Sequence, residues 1–154
     1  MRAYADTTFF TRLYFPLPET ALAAERLRQL RGHSPLPTTW LLELEVLNAL
    51  ELHASVNDRR CGAVRITPED TASAQATFRA DLKNQKFLRS LALPMSEVQA
   101  TVEGLTQRHT AALGCRIYEL LHVASALVLE CDTFWTFDPK TRALAAAAGL
   151  TQPS

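Results

Sequence analysis

The sequence predicts an α/β fold in which helices flank a short parallel sheet. Long segments with helical spacing of apolar residues are separated by a few short, fully apolar runs, as in strands that are buried on both faces. The two clearest strand-like runs, residues 2–5 and 133–137, lie at opposite ends of the chain, and each is followed by an aspartate. A length of 154 residues predicts a single domain over residues 1–154.

The N-terminal half is predicted to be mostly helical after the first strand. Asp6 precedes a helix over residues 7–15, and the segment "ETALAAERLRQLRG" at 19–32 has amphipathic spacing. "SPLPTT" at 34–39 predicts a turn or a short strand. It leads into a strong helical pattern over 40–55.

The C-terminal half shows four further helical patterns. Thr67 is a predicted cap for a helix that begins at Pro68 and extends through the segment ending at residue 88. Ser96, with Gln99 in capping-box spacing, predicts the start of the next helix, which ends at Gly114. The last two predicted helices cover residues 116–131 and 139–149.

Composition limits the class of protein. Apolar residues make up 47% of the chain, charged residues 21%, and the formal net charge is zero, so no overall field attracts the protein to nucleic acid or an anionic membrane. A local basic patch remains compatible with this balance. Cys61, Cys115 and Cys131 have no metal-ligand spacing and are expected to be free thiols. Without a signal-peptide layout or a spanning segment, we expect a cytoplasmic protein with no membrane contact.

The two terminal aspartates are candidates for one site. Functional groups collect beyond the carboxyl ends of strands in an open parallel sheet, so Asp6 and Asp138 are expected at the same edge. Each is also well placed as a helix N-cap, and Asp138 is followed by a proline at the first helical position. One carboxylate can serve both purposes with its two oxygens.

The helix predicted at 116–131 adds Glu119. This helix is apolar nearly all round, which is typical of a buried helix, and a buried carboxylate needs a partner. Arg116 is the alternative partner to a metal ion, since it lies one turn away. His122 has no second histidine at ligand spacing and is interpreted as a packed or hydrogen-bonding residue.

A fourth carboxylate comes from "WLLELEVLNAL". Glu43 and Glu45 are two residues apart and point to different faces of the predicted helix, and spacing alone chooses weakly between them. Glu45 has apolar neighbours on the helix surface. The alternative, a solvated stripe that includes Glu51, is disfavoured by the angular spread of these residues.

Carboxylates from distant segments favour a site for hard divalent cations. Mg²⁺ and Mn²⁺ prefer oxygen ligands, and clustered acids repel one another without a cation between them. Such sites suit phosphodiester hydrolysis, in which a metal activates water and stabilises the leaving oxygen. The sequence has no Gly-rich phosphate loop and no pattern typical of a serine or cysteine nucleophile.

At this point the sequence resembles the PIN-domain ribonucleases, and within them the VapC-type toxins of bacterial toxin–antitoxin pairs. "YADTTFFTRLY" resembles the family's first strand and first acid, and "ELEVLNAL" its second-acid motif, in which Glu precedes Asn-Ala-Leu by three residues. "RIYELLHVASALVLECDTFWTFDPKTRALAAAAGL" is similar to the C-terminal block and is the most specific part. The resemblance covers nearly the whole chain, although residues 67–95 match nothing specific.

The resemblance implies a PIN-like fold and a defined set of site residues. The implied ligands of Mg²⁺ or Mn²⁺, which are also the implied catalytic residues, are Asp6, Glu45, Glu119 and Asp138. Thr8 and Thr136 are implied as polar support. Glu119 departs from the family, which usually has Asp at this position, and the longer side chain shifts the carboxylate by about one carbon–carbon bond.

The implied function is an endoribonuclease that acts as a toxin, with RNA as substrate, a cognate antitoxin as partner and a homodimer as the expected state. Two alternatives remain: an RNA-processing nuclease outside toxin–antitoxin systems, and an RNA-binding or regulatory protein weakened in cleavage by Glu119. Basic residues that could position RNA are Arg12, Arg116, Lys140, Arg142 and the segment "KNQKFLR" at 83–89. An antitoxin groove is expected near Phe9, Phe10, Leu13, Trp40 and Leu44, with Leu44 expected in the core.

Overall fold

The computed structural model describes residues 1–54 and 65–153 and has an α/β architecture. The strands are β1 (Ala3–Ala5), β2 (Leu36–Thr38), β3 (Leu88–Ser90) and β4 (Thr133–Trp135). The helices are α1 (Thr7–Tyr14), α2 (Thr20–Gln29), α3 (Trp40–His53), α4 (Pro68–Asn84), α5 (Met95–Leu105), α6 (Ala111–Leu113), α7 (Ile117–Val128) and α8 (Pro139–Ala147). The predicted class, short parallel strands flanked by helices, is therefore confirmed.

The first and last strands pair in parallel. Tyr4 lies opposite Phe134 in this register, and the backbone N–H of Asp6 donates to the carbonyl of Trp135 at 3.0 Å. Strand β1 is completely buried, as is β4. This pairing places the residues that follow β1 and β4 at one edge of the sheet, as the sequence predicts, although β4 ends at Trp135 rather than at residue 137.

A second parallel pair joins β2 to β3, and β2 lies beside β1. The short-strand interpretation of "SPLPTT" is confirmed at Leu36–Thr38. The predicted helical segment extending to residue 88 is wrong at its end. Gln85 adopts a left-handed conformation with φ of 51° and ends α4, which allows Leu88 to enter the sheet.

Helix caps also separate correct from incorrect boundaries. Thr67 and Asp70 form the capping box of α4, so the predicted start at Pro68 is confirmed. The predicted capping box at Ser96 is wrong, because α5 begins one residue earlier and Pro94 occupies the cap position. A π-helical turn, Thr106–Thr110, then connects α5 to α6, and Gly114 ends this region in the left-handed conformation.

Aromatic packing holds the sheet edge in place. Phe9 and Trp135 are completely or almost completely buried, with ring centres 5.2 Å apart, and Tyr4 stacks on Phe134. Helix α7 is buried along most of its length, as its apolar surface predicts. Cys115 and Cys131 are buried free thiols, whereas Cys61 lies outside the described residues. Across residues 1–54 and 65–153, none of the helices has the length and apolar character needed to cross a membrane.

Candidate active site

Four carboxylates from four separate segments line one cleft of about 280 Å³. Asp6 follows β1, Glu45 belongs to α3, Glu119 lies in the first turn of α7, and Asp138 precedes α8. We call this the acid cleft. It lies at the edge where the parallel strands β1 and β4 end, which is the position expected for functional groups in such a sheet.

Asp6 is the most buried of these carboxylates, with 3% of its surface exposed. Its Oδ1 accepts hydrogen bonds from the backbone N–H groups of Thr8 and Phe9, so Asp6 is also the N-cap of α1. The Thr8 hydroxyl donates to Oδ1 and the Thr136 hydroxyl to Oδ2, each at 2.6 Å. Burial raises the pKa of Asp6, while the charge of His122 and the hydroxyl donors oppose that rise.

Glu45 is held by a hydrogen-bonded chain that continues into the core. Its Oε2 accepts from the Thr7 hydroxyl at 2.7 Å and contacts His122 Nε2, and His122 Nδ1 lies 3.1 Å from the Tyr4 hydroxyl. Burial favours protonation of Glu45, but the hydrogen bonds from His122 and Thr7 and the His122 charge hold its pKa below the usual value. Burial also raises the pKa of Tyr4, so this hydroxyl keeps its proton.

The structure distinguishes Glu45 from Glu43, between which helical spacing alone chooses only weakly. Glu43 accepts a hydrogen bond from the Thr38 hydroxyl at 2.9 Å and does not line the cleft. His122 is 4% exposed and bonded through both ring nitrogens, which confirms its interpretation as a hydrogen-bonding residue.

Glu119 and Asp138 both combine capping with exposure to the cleft. Glu119 accepts the backbone N–H of Arg116 at 2.8 Å, so its partner is the main chain and not the guanidinium that the ion-pair alternative requires. Asp138 accepts from the backbone N–H and the hydroxyl of Thr141 at 2.7 and 2.9 Å. The predicted N-cap role of Asp138 is therefore confirmed.

The donor chemistry of the cleft fits Mg²⁺ or Mn²⁺. Within the described ranges, one oxygen on each of Glu45, Glu119 and Asp138 accepts the bonds above, and the other accepts none. The set consists of oxygen donors, as hard cations prefer. Within the same ranges, however, no three His, Cys, Asp or Glu side chains are placed so that they could hold a metal ion.

A larger groove of about 520 Å³ shares a wall with the acid cleft. Thr7, Thr8, Glu45 and Asp138 line both spaces, and Arg12, Asn48 and Phe137 extend the groove away from the acids. Of the apolar residues expected at a partner surface, Phe9 and Phe10 are instead core residues. The expectation that Leu44 is buried is wrong, since Leu44 and Trp40 are 59% and 56% exposed on the outer face of α3.

Four further polar residues line the cleft that the sequence does not identify as site residues: Thr7, Tyr118, His122 and Thr141. Thr7 could have been found from its position directly after Asp6. His122 lies three residues after Glu119, and a helix brings residues at this spacing to one face. Among the basic candidates, Arg116 lines the cleft and Arg12 the groove. Lys140 and Arg142 donate to the backbone carbonyls of Gly114 and Thr136.

The element order, the terminal parallel strands and the helices around them define a PIN-like fold. The chain is similar to the crystal structure of Mycobacterium tuberculosis VapC20, a sarcin–ricin loop cleaving toxin, with 18% sequence identity and a TM-score of 0.61 over 97% of this chain and 96% of that chain. It is also similar to PAE2754 from Pyrobaculum aerophilum, with 18% identity and a TM-score of 0.57 over 99% and 83% of the two chains. No family model and no curated protein matches the sequence.

Proposed function

We propose that this protein is a metal-dependent endoribonuclease that acts as the toxin of a type II toxin–antitoxin pair. The observation that carries the proposal is the meeting of four carboxylates in one cleft at the carboxyl edge of a parallel sheet. The fold shared with VapC20, itself a sarcin–ricin loop cleaving toxin, supports RNA as the substrate class. One PIN-like domain over residues 1–154 and a homodimeric state belong to the same proposal.

Mg²⁺ or Mn²⁺ would be held by Asp6, Glu45, Glu119 and Asp138. When bound, such an ion supplies an activated water and charge stabilisation at the leaving oxygen. Asp6 is kept in place by Thr8 and Thr136, so its direction is fixed by the ends of both strands. Glu119 already lines the cleft, and its Oε1 accepts no hydrogen bond within the described residues, so this oxygen would be the one available to a cation.

The chain's own residues also define how RNA is oriented. Arg116 and Tyr118 lie at the mouth of the acid cleft, and Asn48 lies along the groove. A phosphodiester in the cleft would lie close to these donors as well as to the carboxylates. His122 and Thr7 hold the half-buried Glu45 in its ionised form, which is the form that can bind a cation.

The experiment that tests the enzymatic part is RNA cleavage by the purified chain. We expect endonucleolytic cleavage of structured RNA in Mn²⁺ or Mg²⁺ and none in excess chelator, with recovery when the metal is returned. Cleavage that continues unchanged in chelator would contradict the proposed metal dependence. RNA binding without cleavage at any metal concentration would favour the weakened RNA-binding protein.

The toxin part requires a different experiment. Expression of this chain alone should arrest growth, and co-expression with the adjacent small reading frame should restore growth and give a co-purifying complex. Asp6→Asn serves as the matched control and should be harmless alone. Cleavage without growth arrest or a captured partner would favour the RNA-processing nuclease.

His122 is predicted to position Glu45. His122→Leu removes the donor that holds Glu45 and leaves Tyr4 without its partner, and groups that orient metal ligands are typically worth about 10–100-fold in affinity or activity. We expect cleavage to fall by this factor and the Mn²⁺ concentration for half-maximal activity to rise. His122→Gln retains a donor and should recover part of the loss. An unchanged Mn²⁺ midpoint in His122→Leu would show that the histidine only packs the core.

A further inference from the structure

Two arginines lie over the ring of Phe137, the residue that immediately precedes Asp138, and a third contacts the backbone just before it. The guanidinium carbons of Arg12 and Arg26 lie 5.4 and 5.1 Å from the centre of the Phe137 ring. Arg142 donates to the carbonyl of Thr136 at 3.3 Å, which places its charge at the same junction between β4 and α8. We call Arg12, Arg26 and Arg142 the arginine cluster.

Arg26 is the unusual member of this cluster. Only 4% of its surface is exposed, and its Nε and Nη1 atoms are buried without a hydrogen-bond partner within residues 1–54 and 65–153. Buried guanidinium groups are normally paired because an unpaired charge in a low-dielectric interior is costly. The face of the Phe137 ring offsets part of that cost. Burial and the nearby charge of Arg142 both lower the pKa of Arg26, so the surroundings oppose its charge.

Counter-charges at the cluster are few. Arg12 Nε lies 3.3 Å from Glu19 Oε2, in a pair with both side chains partly exposed, where solvent weakens the attraction. Across the part of the chain that the structure describes, neither Arg26 nor Arg142 has an ion-pair partner. The one solvated carboxylate recorded at the cluster within the described residues thus pairs with Arg12 alone, and an anion against Arg12 would stabilise the three guanidinium groups.

The cluster adjoins the acid cleft. Arg12 and Phe137 line the same groove as Glu45 and Asp138. A positive site and an acidic site therefore lie along one continuous groove. This alternation suits a polyanion that places one phosphate at a cation between the acids and another at the arginines. A single carboxylate from a protein partner would contact the arginines but would gain nothing from the acid cleft beside them.

We infer that the arginine cluster binds a backbone phosphate of single-stranded RNA, adjacent to the phosphate at the acid cleft. The inference rests on the proposed function, because it takes RNA as the occupant of the groove. Guanidinium groups suit phosphate through planar, charge-assisted hydrogen bonds. Arg12 meets the phosphate at the groove wall, and Arg26 supplies a second positive charge behind it where the low dielectric strengthens the attraction.

The test measures binding apart from cleavage. A short fluorescent RNA with 2′-O-methyl groups, which resists cleavage, is titrated in chelator with wild type, Arg26→Met and Arg28→Met. Methionine keeps an apolar stem against Phe137 and removes the charge. Arg28 lies on the same helix but is exposed and paired with Glu25 at 2.5 Å, so Arg28→Met is the matched control.

We expect Arg26→Met to weaken RNA binding by about tenfold. The slope of log affinity against log salt should also become shallower, because less positive charge faces the RNA phosphate. Arg28→Met should leave both quantities unchanged. Urea unfolding of Arg26→Met should match or exceed that of wild type, because a buried unpaired charge is removed.

Four results would overturn the inference. If wild type cleaves RNA but wild type and Arg26→Met bind RNA with equal affinity and equal salt slope, the inference about the arginine cluster is wrong and the proposed function stands. Lower stability with unchanged affinity of the folded protein would make Arg26 a structural cation–π partner of Phe137. Intact RNA binding with weakened capture of the co-expressed small protein would assign the cluster to a protein carboxylate. A wild type that neither binds nor cleaves RNA would remove the proposed function as well.

Discussion

Asp6→Asn is expected to lower RNA cleavage on the order of a thousandfold while the protein remains folded. The lost carboxylate is the buried member of the acid cleft, and a catalytic metal supplies several kcal/mol of transition-state stabilisation. Asparagine keeps the N-cap of α1, because its side-chain oxygen accepts the same backbone N–H groups. The Thr136 hydroxyl can accept from the new amide where it donates to the carboxylate now.

The same substitution should change stability in a pH-dependent way. Because the pKa of Asp6 is raised above 3.8 in the folded state, its protonated form contributes stability that is present below that value and is lost as pH rises through the folded pKa. In chelator, wild type should therefore lose stability relative to Asp6→Asn as pH rises above the ordinary carboxyl pKa of 3.8. Urea unfolding at a series of pH values measures this difference.

Asp132→Asn is the matched control for Asp6. Asp132 precedes the amino end of β4, where it accepts the backbone N–H of Arg2, so its carboxylate lies at the opposite end of the same strand. Cleavage by Asp132→Asn should equal that of wild type. If Asp6→Asn cleaved RNA as fast as wild type in Mg²⁺, Asp6 would not be part of the site.

Glu119→Gln is expected to reduce cleavage on the order of a hundredfold, since removal of one charged ligand costs a few kcal/mol. Glutamine can still accept the backbone N–H of Arg116, so the start of α7 is preserved and only the charge is lost. Glu119→Asp should retain activity, or exceed wild type if the longer side chain places the carboxylate poorly. Initial cleavage rates at saturating Mn²⁺ measure the series.

Glu130→Gln provides the control for this series, because Glu130 follows α7 and is largely exposed. Its cleavage rate should match wild type. Equal activity of wild type, Glu119→Gln and Glu119→Asp would reduce Glu119 to a helix cap. An inactive wild type that gains cleavage through Glu119→Asp would instead identify a protein that kept the fold and lost the reaction.

Local signals in the sequence were sufficient where one residue determines the structure. Thr67 with Asp70 begins α4, and Asp6 and Asp138 cap the helices that follow the terminal strands. The parallel pairing of those strands also followed from their short, fully apolar character. The helix containing Glu119 was recognised as buried because its apolar residues cover nearly every face.

Features that depend on tertiary contacts could not be read locally. Strand β3 is three residues long, and no glycine in the sequence separates it from helix α4. The sequence therefore does not indicate that this segment pairs with β2. Leu44 satisfies helical periodicity yet lies on the exposed face of α3, because periodicity does not say which face meets the core. Arg26 resembles any charged residue of an amphipathic helix, and only the fold brings it to Phe137.

The most direct test of a metal-binding acid cleft is anomalous diffraction from crystals grown with Mn²⁺. We predict an anomalous peak in the cleft within ligand distance of Asp6 and of at least one of Glu45, Glu119 and Asp138, and we predict no such peak in crystals of Asp6→Asn. Bound Mn²⁺ found only at other positions, with the cleft carboxylates still turned to Thr141, His122 and the backbone of Arg116, would contradict the account.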